Sequence, residues 1–219
     1  MADDFRVVAV IPFYNEAAYL KSITEETQKY VDLIILVNDG STDDWLESTK
    51  FFSGVILHNE CNIGKGAALN KGFLKSIELK SQFTITLDAD LQHPPSSIPD
   101  FINCIKDYDI VIGNRNMLDV SMPIQRKLSN FLTSKLLSIK TKYDIKDSQS
   151  GFRIYRTQVL NNILPSSNGF EAESEIIVNA SRKNLRLGFT QIPTIYGEEK
   201  SKMKAFSAIK GFLKVLFFR

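Results

Sequence analysis

Phe5 to Pro12 reads Phe-Arg-Val-Val-Ala-Val-Ile-Pro, a nearly continuous apolar run rich in valine. A run of this kind fits a strand covered on both faces, as in a parallel sheet lined by helices, and not a strand with one wet side. The chain continues in the same style. Leu20, Ile23, Thr27 and Tyr30 keep helical spacing through residues 17–30, and Leu33 to Val37 is a second apolar strand. A helix is expected after Ser41, Thr42 and Asp43, which are good amino-terminal caps. Val55 to His58 is a third strand, leading to a helix that carries Leu69, Phe73 and Ile77. This β-α-β-α alternation predicts an α/β fold, with a mostly parallel central sheet flanked by helices and right-handed crossovers.

Polar residues gather where the strands end. Phe83, Ile85 and Leu87 alternate with Thr84 and Thr86, and the strand releases Asp88-Ala89-Asp90-Leu91-Gln92-His93 before Pro94-Pro95 forbids its continuation. Open α/β sheets hold ligands at the carboxyl ends of their strands. Two acids one residue apart there can meet a hard cation and leave positions for diphosphate oxygens. The plainer alternative is that Asp88 and Asp90 only cap the turn. Tyr14, Asp39 and Arg115 end the other strands, the last after Ile110-Val111-Ile112 and a helix near Ser97 to Ile105. In Asn62-Ile63-Gly64-Lys65-Gly66 the glycines would let backbone approach a ligand at a helix start. The run is neither a dinucleotide nor a Walker fingerprint, and a plain helix start explains it equally well. His93, a single histidine before two prolines, is read as a turn residue.

The character changes from Met122. Ile124, Leu128, Phe131, Leu132, Leu136 and Ile139 form the apolar face of a long helix, and Arg126, Lys127, Lys135, Lys140, Lys142 and Lys146 make the stretch basic. Residues 147–156 return to strand character. A helix is expected over Glu173 to Asn184, next to the acids Glu171, Glu173 and Glu175, and a last strand over Leu187 to Ile195, which Pro193 places at an edge. The tail from Met203 to Arg219 reads as a helix with Phe206, Ile209, Phe212, Leu213 and Leu216 on one side. The expected division is a domain over 1–202 and a basic amphipathic helix over 203–219. That helix suits an anionic membrane surface or a partner protein, or packing on its own sheet or on another subunit.

With 219 residues, 43% of them hydrophobic, the chain is long enough for one sizeable core. A net charge of +2 argues against a general nucleic-acid binder. Cys61 and Cys104 are too few and too far apart for a zinc site or a disulfide framework, so they are read as buried or inert in a reducing cytosol. The amino terminus has no signal-peptide pattern, and no apolar run reaches the ~18 residues of a spanning helix.

Seven segments recur together and in order: Val10 to Glu16, Val37 to Asp43, Asn62 to Gly66, Leu87 to Pro95, Gly113-Asn114-Arg115, Ser150 to Arg153, and Tyr196 to Lys202. On these the chain resembles the inverting family 2 glycosyltransferases of GT-A fold, within them the dolichol-phosphate mannose synthase and polyprenyl-phosphate glycosyltransferase branch. The resemblance implies that Pro12, Tyr14, Glu16 and Asp39 line a nucleotide-sugar pocket, with Lys65, Asp88, Ala89 and Asp90 beside it. Core packing for Tyr14 and a helix-terminal charge for Glu16 are the plainer roles. Asp88, Asp90 and Gln92 match the segment for Mg2+ or Mn2+ and the diphosphate. Arg115, Arg126 and Ser129 match positions for an acceptor phosphate, and Asp147 one for positioning or proton removal. Lys200 and Lys202 are implied to lie on a loop that closes over the diphosphate. The implied activity is transfer of a sugar from a UDP- or GDP-sugar to a polyprenyl phosphate, by an enzyme peripherally associated with the cytoplasmic face of a membrane. Such a phosphate has a second pKa of about 6, so it is largely dianionic at pH 7 and needs cations more than a base. Two alternatives stand beside this. One is transfer to a glycan hydroxyl, with Asp147, Glu171, Glu173 or Glu175 as base; the other is a nucleotide-binding regulatory protein without activity.

Overall fold

The computed structural model describes residues 6–115, 124–193, 195 and 205–218, with backbone alone at 125, 126, 205–208 and 218. Its strands are β1 (Val7–Phe13), β2 (Leu33–Asn38), β3 (Val55–His58), β4 (Phe83–Thr86), β5 (Ile110–Arg115), β6 (Arg153–Arg156) and β7 (Leu187–Ile192). They form one sheet in the order β3-β2-β1-β4-β6-β5-β7. The pairs β1/β2, β2/β3, β1/β4 and β5/β7 are parallel, whereas β6 runs antiparallel to both β4 and β5. The expected mostly parallel sheet is present, and β7 is indeed an edge. The reversed β6 has a consequence for the site. Thr86 lies opposite Arg153, so the chain leaving β4 meets the chain entering β6 at the same sheet end.

The helices are α1 (Ala17–Thr27), α2 (Trp45–Ser48), α3 (Lys65–Glu78), α4 (Ile98–Cys104), α5 (Ile124–Thr141), α6 (Ala172–Arg182) and α7 (Ala205–Phe218). Every residue of β1 is buried, which accounts for its lack of alternation. Ala9, Ile11 and Phe13 pack with Leu20 and Ile23 of α1 and Phe101 of α4, while Val8 and Val10 face Ala68 of α3 from the opposite side.

Two helices depart from the sequence reading. Ser41 and Asp43 do not cap α2, which is only four residues long; Ser41 Oγ accepts from the Asn15 N–H at 2.9 Å and Asp43 Oδ2 from the Ala17 N–H at 2.8 Å. They therefore serve the start of α1, across the gap between two loops. In α5 the apolar face turns outward: Leu128 is 65% and Phe131 68% exposed, and Ile124, Leu132 and Ile139 are exposed with them. Asn130, Ser134, Leu137 and Thr141 form the buried face. Of the expectation that the cysteines are buried or inert, burial does not hold for Cys61, which is exposed.

Helix α7 rests on α5 and α6, with Val215 fully buried and Lys140 Nζ donating to the Leu216 carbonyl at 2.6 Å. A cation at a helix carboxyl end is favourably placed against the helix dipole. Ile209, Leu213 and Phe217 stay exposed. Among the described residues no helix is long and apolar enough to cross a membrane.

Helix α3 approaches the sheet closely at Gly72, where any added Cβ would collide with the Val10 side chain. Gly72→Ala should therefore destabilise the domain by about 1–3 kcal/mol, despite the better helix propensity of alanine. Urea unfolding midpoints of the two proteins check this.

Candidate active site

The loops after β1 and β2 are joined to each other. Thr42 N–H donates to Asn15 Oδ1 and Ser41 N–H to Asn38 Oδ1, both at 2.8 Å, and Asn15 adopts a left-handed φ of 53°. This junction sets Tyr14 and Glu16, both half-buried, next to buried Pro12. Asp39 is buried at the end of β2, where its oxygens accept from Asn59 Nδ2 at 2.9 Å, Ile63 N at 3.1 Å and Gly64 N at 2.8 Å. A carboxylate offers about four acceptor positions, so one is left over. Asp39 thus shapes the loop that opens α3. The glycines of that loop approach the protein itself, not open space, since the Gly66 N–H donates to the Asn168 carbonyl at 2.6 Å and Ala67 N–H at 3.3 Å.

At the end of β4 the two acids have different surroundings. Asp88 Oδ1 lies 2.5 Å from Lys65 Nζ, and the same ammonium lies 2.8 Å from Glu173 Oε1 on α6. Burial works against charge on Asp88, but Lys65, with smaller help from His93 and Arg115, holds its carboxyl below the usual range. Burial likewise opposes charge on Lys65, yet Asp88 and Glu173 together hold its amine above the ordinary lysine value. Ala89 is buried in the core. Asp90 is half-buried, with Oδ1 accepting from the Gln92 N–H at 3.1 Å across a turn in which Leu91 has φ 58°. His93 is buried: its Nδ1 is 3.2 Å from the Pro193 carbonyl oxygen and its ring stacks on Phe152. It holds the turn, as expected.

The residues fit a divalent cation in a limited way. Asp88, Asp90 and the Gln92 amide are hard oxygen donors of the kind Mg2+ and Mn2+ prefer, but among the described residues no group of three or more His, Cys, Asp or Glu surrounds one point. Two carboxylates leave positions for ligand oxygens. That is the usual arrangement for Mg2+ with a phosphate substrate.

Arg115 and Asp147 form the second charged group. Arg115 Nε donates to Asp147 Oδ2 at 2.7 Å and Nη2 to Oδ1 at 2.9 Å, while the Arg115 N–H, Asn130 Nδ2 and Gln149 N–H also point at the carboxylate. Asp147 is fully buried; burial raises its carboxyl pKa, but the Arg115 fork prevails and keeps it low. This geometry orients Arg115 and leaves Asp147 badly placed to remove a proton. Ser129 is exposed, its Oγ accepting from Gln149 Nε2 at 3.2 Å. Arg126 is on α5, where only backbone is described, and Lys200 and Lys202 lie outside the described residues.

Three members of the site were not singled out for these roles by sequence reasoning. Glu173 joins Lys65. Asn130 joins Asp147, and its place in a row of small polar residues with Ser134 and Thr141 was the available signal. Arg153 is fully buried and donates to the carbonyls of Ser148, Ser150 and Glu173 at 3.0, 2.7 and 2.8 Å.

Asp147→Ala would remove the carboxylate that pairs with the Arg115 guanidinium, which is 13% exposed. Breaking a buried pair in this way costs roughly 3–5 kcal/mol. Because the folded-state pKa of Asp147 is depressed, the contribution is complete above its unfolded value of about 3.9 and is lost as pH falls through the folded value. The stability gap between wild type and variant should be flat from pH 8 to 5 and shrink below pH 4. Denaturant titrations across that range test this.

Comparison with known proteins identifies the family and the fold. Residues 8–164 match glycosyl transferase family 2. The chain is 30% identical to the UDP-N-acetylglucosamine–dolichyl-phosphate N-acetylglucosaminyltransferase of Methanococcus voltae, over 90% of this chain and 88% of that one. It is 26% identical to the undecaprenyl-phosphate mannosyltransferase of Micrococcus luteus, over 89% of this chain and 85% of that one. Among solved structures, the glucosyl-3-phosphoglycerate synthase of Mycobacterium tuberculosis in complex with Mn2+, uridine diphosphate and phosphoglyceric acid superposes with a TM-score of 0.76. That match has 16% identity and covers 98% of this chain and 80% of that one, and it supports the fold alone. With its seven-stranded GT-A sheet and the strand-end acids inside the matched region, this chain belongs to glycosyl transferase family 2 and is a glycosyltransferase.

Proposed function

We propose that the protein transfers a sugar from a UDP- or GDP-sugar to a polyprenyl phosphate, with Mg2+ or Mn2+ as cofactor. The observation that carries this reading is how the acidic side chains are used. Asp147 is filled by Arg115 and Asn130, Glu173 by Lys65, and Glu175 accepts from Ser166 and Ser167. Glu171 lies over Gly211 of α7. Asp147, Glu173 and Glu175 are thus engaged by other groups, whereas a phosphate acceptor arrives ionised and needs only to be held. The Nε/Nη2 edge of Arg115 is taken by Asp147, which fixes the plane of a guanidinium, the group best suited to phosphate oxygens. The relatives named for dolichyl and undecaprenyl phosphate support the same acceptor class, and the one named for UDP-N-acetylglucosamine supports a nucleotide-sugar donor.

In this reading Pro12, Tyr14, Glu16 and Asp39 border the nucleotide, while Asp88, Asp90 and Gln92 hold the cation. When bound, the cation offsets charge developing on the departing nucleoside diphosphate. Arg115, Arg126 and Ser129 hold the acceptor phosphate, and Lys200 covers the diphosphate. Donor screening with UDP- and GDP-sugars, scored for nucleoside diphosphate release and lipid-linked product, tests the activity. Asp90→Ala should lower kcat by about 10²–10³, the scale of losing one electrostatic contact to the transition state. Arg126→Ala should raise KM for the lipid phosphate far more than KM for the donor. Equal use of sugar alcohols without phosphate would refute the acceptor assignment.

We also place the enzyme on a membrane surface through α5 and α7. Fully burying a large apolar side chain contributes about 1.5–3 kcal/mol, and the exposed set of Ile124, Leu128, Phe131, Leu132 and Ile139 leaves most of that unused. A groove of about 610 Å3 beside α5 has Phe131 and Ile145 among its lining with Lys127 and Lys135 around it, while Lys146 there is paired with Asp144; two lysines beside apolar walls suit an anionic amphiphile. Lysines near an anionic surface add about 1 kcal/mol each. Because α7 packs on the domain, exposed substitutions are better than truncation as a test. Leu213→Ser with Phe217→Ser should reduce sedimentation with phosphatidylserine liposomes and leave the thermal unfolding curve nearly unchanged. Undiminished binding would assign those residues to a protein contact instead.

A further inference from the structure

Glu173 has no place among the strand-end residues that define the site. It belongs to the first turn of α6, yet its carboxylate reaches the far side of the Lys65 ammonium that pairs with Asp88. Two members of this triad are shielded, the Lys65 and Glu173 side chains being 15% and 8% exposed, while Asp88 is 31% exposed. The surroundings of the triad leave little room for it to reorganise. A Cβ on Gly151 would stand 2.7 Å from Asp88 Oδ2 and 2.8 Å from Lys65 Nζ, so the chain entering β6 closes one side. The Phe170 ring lies 5.8 Å from the ammonium, and Arg153 fixes the backbone of Glu173 itself through its carbonyl. An amine held by two carboxylates with a combined charge of −2 leaves the triad at −1. Without Glu173 the Lys65–Asp88 pair would be neutral, and without Lys65 the two acids would stand at −2.

We infer that Glu173 is a positioning residue for the cation and diphosphate end of the site. It anchors Lys65 as the tethered counter-charge of Asp88 and sets the net charge that an incoming cation or diphosphate meets. The inference rests on the reading of Asp88 as a cation ligand. On that basis Lys65 competes with a divalent cation for Asp88 Oδ1, and Glu173 weakens the competition by sharing the ammonium. A purely structural role for Glu173 makes no such link between charge and ligand affinity.

The sign of the response separates the two. Mn2+ binding to the purified protein is measured by electron paramagnetic resonance, and uridine diphosphate binding in excess chelator by calorimetry, both without turnover. Glu173→Gln should weaken Mn2+ binding and tighten chelated uridine diphosphate binding, each at least about fivefold, as expected for one elementary charge a few ångströms away in a partly shielded site. Lys65→Met should do the reverse, tightening Mn2+ and weakening the nucleotide. The double variant Lys65→Met/Glu173→Gln has the wild-type net charge and should return Mn2+ affinity to within about twofold of wild type, a cancellation of two opposite charge effects that lost packing, which weakens binding in every variant, does not produce. Shifts of the same sign in both single variants, or unchanged affinities in variants with native circular dichroism, would overturn the role of Glu173 while leaving Asp88 as a ligand. Absence of Mn2+ binding by the wild type, with and without uridine diphosphate, would instead overturn the cation reading and this inference with it.

Discussion

The interaction on which both charged groups of the site depend is the burial of Arg153. Its guanidinium is enclosed on β6 and binds three backbone carbonyls, those of Ser148, Ser150 and Glu173. A buried guanidinium is costly unless its donors are satisfied, so these three carbonyls are held as firmly as the arginine holds itself. Ser148 follows Asp147, which grips Arg115, and Glu173 grips Lys65, which grips Asp88. One side chain below the sheet end thereby fixes the loop of one ion pair and the helix of the other. The reversed direction of β6 makes this possible, because it brings the entry to β6 alongside the exits of β4 and β5.

The sheet itself was legible from the chain. Continuous apolar runs at β1 and β2, and polar clusters directly after them, locate strands covered on both sides with a site at their ends. What could not be read was anything that depends on two distant segments meeting. Ser41 and Asp43 looked like caps for the helix that follows them, and the residue types were right, but the amides they serve belong to Asn15 and Ala17 on the neighbouring loop. Local pattern gives a capping residue its chemistry and not its partner. Glu173 is a similar case: three acids spaced two apart near a helix start read as a cluster from which a base could come, and only the fold brings the middle one to Lys65.

Helix α5 shows a different limit. Periodicity separates its two faces correctly and says nothing about which one is turned inward. The usual assignment sends Leu128 and Phe131 to the core, whereas Asn130, Ser134 and Thr141 are the buried ones, because the face they form meets a polar loop. Asn130 donates to Asp147, and Ser134 Oγ receives the Ser148 N–H at 2.9 Å. A wall built to satisfy a buried carboxylate has to be polar on the inside. The large apolar residues are then displaced to the outside, and the arrangement of Asp147 and the exposed apolar surface are two aspects of one packing choice.

That link bears on the proposed chemistry. A polyprenyl phosphate joins a dianionic head to a tail that water rejects, so its enzyme must offer a fixed cation and an apolar approach close together. In the proposed reading Arg115, held by Asp147 on the inner side of α5, would supply the first, and the outward-facing Leu128, Phe131 and Leu132 of that helix would supply the second. An acceptor hydroxyl on a soluble glycan would require neither. It would call instead for a carboxylate with an open lone pair next to the sugar, and Asp147, with five N–H donors directed at it, is poorly suited to that task. The same hydrogen bonds that disqualify Asp147 as a base are those that hold Arg115 rigid. A site that has committed its acids to orienting cations is consistent with an acceptor that brings its own negative charge.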